Sequence, residues 1–475
     1  MKKVLLVIAV TVLVIAIGVG CYFFFCKKDV CKNVIPEDAK AVMVLDAKQL
    51  LKEIDISFSD IMKLLKSDKT EGNGIDFLCP MYGFLSNEGY LCGVFALSDA
   101  DEFEKKITDE RLAVESQRGF KWVYVNQILA CFNDEKALVL GPISQAESQN
   151  MRSKMVEWMS QRSSKSPVLS SVLDKDGMLR LRSKMSVVPS SYMQKALKYL
   201  NVPYDLDKIF LSAELKVEGK SLCLSIDVES ENDDIKGYIS NSDDILRPIQ
   251  GSRLQSVVGD PVVWVGLNTK GSRLLETLRK NSVARLFLIG VNLCMDADMV
   301  IKSIDGDVSF ELSDISNKKY DYTLKAQVNN KDFLKNAKDW NIGFLGKNSV
   351  FKAIDDNTYM IQESNGKSYF GVFDNQMYFS SNQDVSKLTE STASDNFVKK
   401  NKSKIADKIF YASISVRKLA DFPELQNITR DDKGSMKLFC SNIDRVTVSA
   451  TDFLHYEVEI TTKEKLSDFV KELMK

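Results

Sequence analysis

The chain is 475 residues long, 44% hydrophobic and 27% charged, ordinary globular values that predict buried cores and exclude wholesale disorder. Its 64 basic and 65 acidic residues leave a net charge of -1, which offers no basis for holding a polyanion by counterion release, so nucleic acid is not an expected partner. The single histidine, His455, is too few for histidine triads, HExxH zinc sites or multi-histidine centres, and no cofactor or metal site is expected.

Val4 to Phe25 is an uncharged run between Lys2-Lys3 and Lys27-Lys28. As a helix rising about 1.5 Å per residue it would be roughly 33 Å long, enough for the ~30 Å hydrocarbon layer. It is longer than the apolar core of about 7 to 15 residues in a cleaved secretory signal, so an uncleaved, single-pass signal anchor is expected, with the membrane as partner. The alternative is a lipoprotein signal acylated at Cys21. Gly18, where an aliphatic residue is usual, and the bulky Tyr22-Phe23-Phe24-Phe25 that follow weigh against it. The short preceding tail favours a cytoplasmic N-terminus, and the large following region then lies on the far side of a bacterial inner membrane. Acylation at Cys21 would instead make the protein an outer-membrane lipoprotein.

After a polar tether at Lys27 to Val34, Val42 to Leu45 read as a buried strand and Ala47 to Ile54 as a helix with apolar Leu50, Leu51 and Ile54. Phe77 to Leu97 is a hairpin about Ser86-Asn87-Glu88-Gly89. Asp99-Ala100-Asp101-Glu102-Phe103 then opens a helix with an acidic first turn, Phe103 and Ile107 sharing its buried face. Trp122 to Leu140 is a second hairpin, WVYVNQILACF turning at Asn133 to Lys136 into ALVLG. Ser144 to Met159 is a helix with Met151, Met155, Trp158 and Met159 on one side. A polar break at Gln161 to Pro167, within a serine-rich linker over Ser160 to Ser171, leads to a strand at Gly177 to Leu181. Ile209 to Val228 forms a hairpin about Glu218-Gly219-Lys220, and a helix from about Asn232 closes this half.

The second half repeats that order. Pro261 to Val265 with Ser272 to Leu278 matches the opening strand and helix, Asp307 to Gln327 the first hairpin, and Asn330 to Phe333 the helix start, with Phe333 and Ala337 in the places of Phe103 and Ile107. Phe370 to Phe379 parallels Leu129 to Leu138. Tyr411 to Leu419 restarts strand and helix, Val446 to Ile460 is the hairpin that follows, and Leu466, Phe469, Val470 and Leu473 line a final helix. The expected organisation is therefore anchor and tether over 1–35 and two similar halves over 36–250 and 258–475. The fold class is α+β, an N-terminal transmembrane helix followed by tandem antiparallel sheets with helices packed on a face.

The motifs point to structure more than to chemistry. Gly219-Lys220-Ser221 and Gly366-Lys367-Ser368 lack the earlier glycine of a phosphate loop, Glu214 and Ile361 standing in its place, and read as hairpin turns. Asp296, Asp298, Asp305 and Asp307 lack calcium-loop spacing and read as solvated turns, as do Asp355-Asp356 with Asn357 and Asp431-Asp432. Ser160 to Ser171 and Ser391 to Ser394 contain no GxSxG elbow and read as linkers. Nine irregularly spaced cysteines with no CxxC read as buried free thiols, with disulfides as the alternative in an oxidising compartment. Trp122, Tyr124, Tyr320, Tyr322, Tyr359 and Tyr369 are candidates for an aromatic platform, against the alternative of cross-strand packing. No catalytic residue is nominated.

The segment Ile35-Pro36-Glu37-Asp38-Ala39-Lys40-Ala41-Val42-Met43-Val44-Leu45-Asp46, the Phe103 helix after a long hairpin, and the length following a hydrophobic start together resemble a family of anchored envelope proteins from Bacteroidetes built on a domain of unknown function. The resemblance covers nearly the whole chain. It implies an envelope location and, for many relatives, lipidation, but no activity, ligand or site residue. The functional expectation is a non-catalytic binding or scaffolding module with an envelope protein or glycan as partner. The alternative is a carboxylate- or serine-dependent hydrolase with a cleft between the halves.

Overall fold

The computed structural model describes residues 29–54, 74–188, 205–230, 232–234, 236–237, 245–251, 254, 256–316, 319–340, 350–363, 366–383, 396–419, 442–466 and 468. The expected anchor Val4 to Phe25 with Cys21, Ser391 to Ser394, Asp431-Asp432, the last helix beyond Leu466, and the side chains of Leu50, Leu51 and Ile54 lie outside what is described. Among the described residues no helix is long and apolar enough to cross a membrane. The fold is mixed α and β, dominated by antiparallel sheet. It divides into two compact units between Ser183 and Lys184.

The first unit contains β1 (Ala41–Leu45), α1 (Ala47–Ile54), β2 (Met81–Leu85), β3 (Leu91–Ala96), α2 (Ala100–Asp109), β4 (Glu115–Gln117), β5 (Phe120–Val125), β6 (Ile128–Phe132), β7 (Lys136–Gly141), α3 (Gln145–Ser160), α4 (Pro167–Leu173) and β8 (Leu179–Lys184). The strands lie in the order β8-β1-β2-β3-β7-β6-β5-β4, every neighbour antiparallel. Asp99 starts α2 by accepting a hydrogen bond from the Glu102 amide at 2.9 Å, and Phe103 and Ile107 pack on Leu97, Phe132 and Ala137 as their spacing predicts. Ser144 and Glu147 close a reciprocal capping box on α3, which buries Met151, Met155, Trp158 and Met159.

Two local expectations are corrected. The break and serine linker before β8 hold α4: Ser166 caps its start, Pro167 occupies the first turn where no amide partner is needed, and Val168, Leu169 and Val172 are buried. The run WVYVNQILACF is two strands and not one arm of a hairpin, because Asn126 (φ +48°) and Gln127 (φ +65°) form a two-residue turn with both residues left-handed.

The second unit contains β9 (Ile209–Glu218), β10 (Ser221–Ser230), β11 (Leu246–Arg247), β12 (Val263–Lys270), α5 (Gly271–Lys280), α6 (Ser282–Asn292), α7 (Ala297–Ser303), β13 (Ile304–Ser316), β14 (Lys319–Val328), a 3₁₀ helix over Asp332–Asp339, β15 (Val350–Ala353), β16 (Thr358–Glu363), β17 (Gly366–Phe373), β18 (Gln376–Ser380), α8 (Phe397–Lys400), α9 (Lys402–Ile405), β19 (Phe410–Ser415), α10 (Val416–Leu419), β20 (Ile443–Ala450) and β21 (His455–Thr462). The order is β15-β16-β17-β18-β14-β13-β12-β19-β20-β21-β10-β9, again antiparallel throughout, with β11 paired to Asn268 and Thr269 of β12. Gly219 (φ +64°) makes the β9–β10 turn, a conformation glycine adopts without steric cost. One sheet face is apolar: Phe333 and Ala337 of the 3₁₀ helix are buried against Ala326, Phe370 and Met377.

Candidate functional site

Residues directly opposed across antiparallel strands share a sheet face, so the register traces lines of side chains across the second unit. One line runs Glu214, Ser225, Glu457, Ser449, Tyr411, Gly266, Ser309, Lys325, Tyr378, Gly371 and Thr358. Its neighbour runs Lys216, Cys223, Glu459, Thr447, Ser413, Trp264, Glu311, Thr323, Ser380, Tyr369 and Met360. Ser309, Glu311, Thr323, Lys325, Ser380, Ser413, Thr447 and Ser449 are all buried, so this is an interior polar face.

Two carboxylates on β13 fasten the segment that crosses it. Glu311 accepts from the amides of Val257 at 2.8 Å and Val258 at 3.0 Å and from Ser313 Oγ at 3.0 Å, with Ser256 Oγ at 2.8 Å. Asp307 accepts from the amides of Gln250 at 3.0 Å and Gly251 at 2.8 Å and from Asn268 Nδ2 at 2.9 Å. Asp307 is thus a buried hydrogen-bond acceptor and not a solvated turn. Burial raises its carboxyl above the ordinary value, and the two amides, Asn268 and Arg247 only partly offset that. Asp305 pairs with Arg247 at 2.7 Å, and Asp298 with Arg279, so neither is a free turn carboxylate. Beside Glu311, the Lys325 amine is pushed down to about 8 by burial, against the opposing pull of the Glu311 charge.

Toward β9 the same face opens into a cleft of about 380 Å³, lined by Lys216, Cys223, Lys404, Lys408, Glu457 and Glu459 among others. Its charges pair internally, Lys404 with Glu459 at 2.6 Å and Lys408 with Glu457 at 2.8 Å. Burial disfavours the Lys404 ammonium, but the hydrogen bond and charge of Glu459 outweigh it and leave the amine raised. The Lys408 hydrogen bond holds Glu457 below the ordinary carboxylate range. Burial pushes the Cys223 thiol up to about 11, so it is a poor nucleophile. A second cleft of about 470 Å³ is bordered by Asp355, Asp356, Asn357, Thr358, Phe373 and Tyr378. Among the described residues, no group of three or more His, Cys, Asp or Glu is arranged to hold a metal ion. Cys31, Cys79, Cys92, Cys131, Cys223 and Cys294 are free thiols.

The sequence-predicted aromatics fall into two units and onto different faces. Trp122 is buried, its indole donating to the Gln117 carbonyl at 3.1 Å under the Arg152 guanidinium, and Tyr124 donates to the Ile143 carbonyl at 3.1 Å. Tyr359 is buried and stacks on Phe351 at 5.1 Å, while Tyr322 packs on Phe379 at 5.4 Å. Tyr369 is buried beside Tyr378, and Tyr320, 49% exposed, is the most open of the six. Within the second unit Tyr359 and Tyr369 lie on opposite faces of the sheet, so its four candidates do not share one exposed surface. His455 begins β21, half exposed, with Nδ1 2.7 Å from the Asp452 carboxylate.

Glu311, Lys325 and the cleft charges were not singled out by sequence reasoning, and Asp307 was singled out only as a solvated turn. The available signal was the make-up of the polar positions: on β19 and β20 the residues alternating with apolar ones are mostly short Ser and Thr (Ser413, Ser415, Thr447 and Ser449), which suit an interior layer better than a solvated one.

Three crystal structures of TP0453, forms IV, I and III, align with TM-scores of 0.28, identities of 13%, 12% and 14%, and coverage of 47%, 46% and 46% of this chain and 87%, 87% and 88% of theirs; similarity at that level carries no argument. No curated protein matches the chain. The family model for a domain of unknown function, DUF4836, matches residues 31–468, and the chain belongs to that family.

Proposed function

We propose that the protein is a membrane-tethered, extracytoplasmic binding or scaffolding module of the bacterial envelope, held by Val4 to Phe25 and acting without catalysis. The observation that carries this reading is that the buried carboxylates of β13 and the charges of the cleft beside them are engaged within the fold. Glu311 and Asp307 accept from backbone amides and so hold the fold, while the half-exposed pairs Lys404–Glu459 and Lys408–Glu457 neutralise one another at the cleft surface. The mixed-charge cleft is then the surface for an envelope protein or glycan. Affinity capture from the native envelope should return a partner that is lost when Lys404→Glu and Lys408→Glu are combined. Returning only the bait, or a partner indifferent to that change, overturns the reading. Protease added to intact spheroplasts should degrade the region after Lys32, and complete protection overturns the orientation.

The reading includes an internal duplication of 36–250 and 258–475. It is supported by strand order, since β8-β1-β2-β3-β7-β6-β5-β4 and β19-β12-β13-β14-β18-β17-β16-β15 follow the same path. The hairpins that end the halves, β9–β10 and β20–β21, meet antiparallel along β10 and β21.

A further inference from the structure

Helix α6 presents an apolar stripe to solvent: Val283 is 68% exposed, Leu286 68%, Phe287 70% and, just past its end, Leu293 83%. At about 100° per residue, positions 283, 286, 287, 290 and 293 fall within an arc of roughly 120°, and the buried Leu288 points the other way. With Ile289, 54% exposed and just outside that arc, five exposed apolar side chains on and just past one helix are an exception to the isolated surface apolar residues of a soluble protein. The flanking charge has one sign. From Thr277 to Met295 there is no acidic residue, whereas Arg279, Lys280 and Arg285 are basic. Arg279 pairs with Asp298, while Lys280 and Arg285 have no ion-pair partner among the described residues.

We propose that α6 lies in the interface of a bilayer containing anionic lipid, with Leu286, Phe287 and Leu293 among the upper acyl chains and Lys280 and Arg285 at the phosphate level. An apolar stripe with cations nearby on the chain is the composition that such an interface selects, and anionic headgroups supply the counter-charge that Lys280 and Arg285 lack among the described residues. The inference rests on the membrane-tethered reading, which supplies the bilayer that α6 would enter.

The test uses full-length Phe287→Trp in vesicles of phosphatidylethanolamine and phosphatidylglycerol, with the wild type and its four tryptophans as baseline. The added emission should shift to the blue on adding vesicles, be quenched by brominated acyl chains and be shielded from iodide. Adding Lys280→Glu and Arg285→Glu should weaken this response about tenfold or more. Emission that stays open to iodide in the vesicles overturns the proposal. So does a blue shift already complete before lipid is added, which would mean that a second copy or Val4 to Phe25 covers α6. Carbonate extraction of native membranes reports on the tether separately. Protein retained after carbonate with the Phe287→Trp emission still exposed defeats this inference alone, whereas protein washed off with lipid quenching intact defeats only the tether.

Discussion

Eight strands in each unit run the same path and fill the same face with different chemistry. In the first, the line Arg182, Val42, Phe84, Cys92, Leu140, Leu129 and Tyr124 crosses the sheet. In the second, Ser413, Trp264, Glu311, Thr323, Ser380, Tyr369 and Met360 occupy the matching places. Phe84 thus corresponds to Glu311, and one line over Val94 corresponds to Lys325. The covering layer explains the difference. Over the first sheet lies α3, whose backbone amides are satisfied within the helix, so it can offer only side chains such as Trp158, 5.6 Å from Phe84. Over the second lie Gln250, Gly251 and Ser256 to Val258, outside helix and strand, whose amides need acceptors, and β13 supplies carboxylates. A regular cover selects an apolar sheet face and an irregular cover selects a polar one, with topology unchanged.

The sharpest way to break that contrast is Glu311→Leu, which gives the second unit an apolar side chain where the first has Phe84. It should cost about 3 to 5 kcal/mol in urea unfolding, because two buried amides and the Lys325 ammonium lose their partner. Adding Lys325→Met should recover much of the loss; no recovery would mean that the amides dominate. Met155→Ala, which thins the cover of the first unit, should cost about 3 kcal/mol by leaving a cavity against the sheet, measured by the same unfolding. A smaller effect is the pH profile. Lys325 has a folded value near 8 against an ordinary 10.5, so below about pH 8 the native state carries the full cost of a buried ammonium. Between about 8 and 10.5 the unfolded chain binds the proton that the native state does not, and stability climbs with pH. Thermal melts should show that climb, and Lys325→Met should flatten it. Ser144→Ala is the mildest, removing one half of the capping box for about 1 kcal/mol and speeding hydrogen exchange in the first turn of α3.

What could be read in advance depended on whether the cause was local. The capping box at Ser144 and Glu147, the acidic start of α2, the methionine stripe of α3 and the Gly219 turn act over a few residues and are visible in the sequence. Helix α6 was not visible, since Leu286-Phe287-Leu288-Ile289 is apolar without interruption and gives no helical period against which to read it. The turn at Asn126-Gln127 was missed because it lacks glycine, and α4 because its cap and proline sat inside a serine-rich stretch. The polar face depended on register. No stretch of sequence says that Glu311 lies opposite Trp264 and Thr323, and only that alignment turns alternating Ser and Thr positions into one layer.

The seam between β10 and β21 also sets an order of events as the chain is made. Its contacts join residues far apart, Ser221 to Glu459 across 238 positions and Lys220 to Lys463 across 243. The β9–β10 hairpin is therefore complete long before its second neighbour exists, and one edge of β10 stays bare while more than two hundred residues are synthesised. A chain halted before His455 would keep that edge open to another copy of itself, which makes β21 the latch that ends the period of exposure.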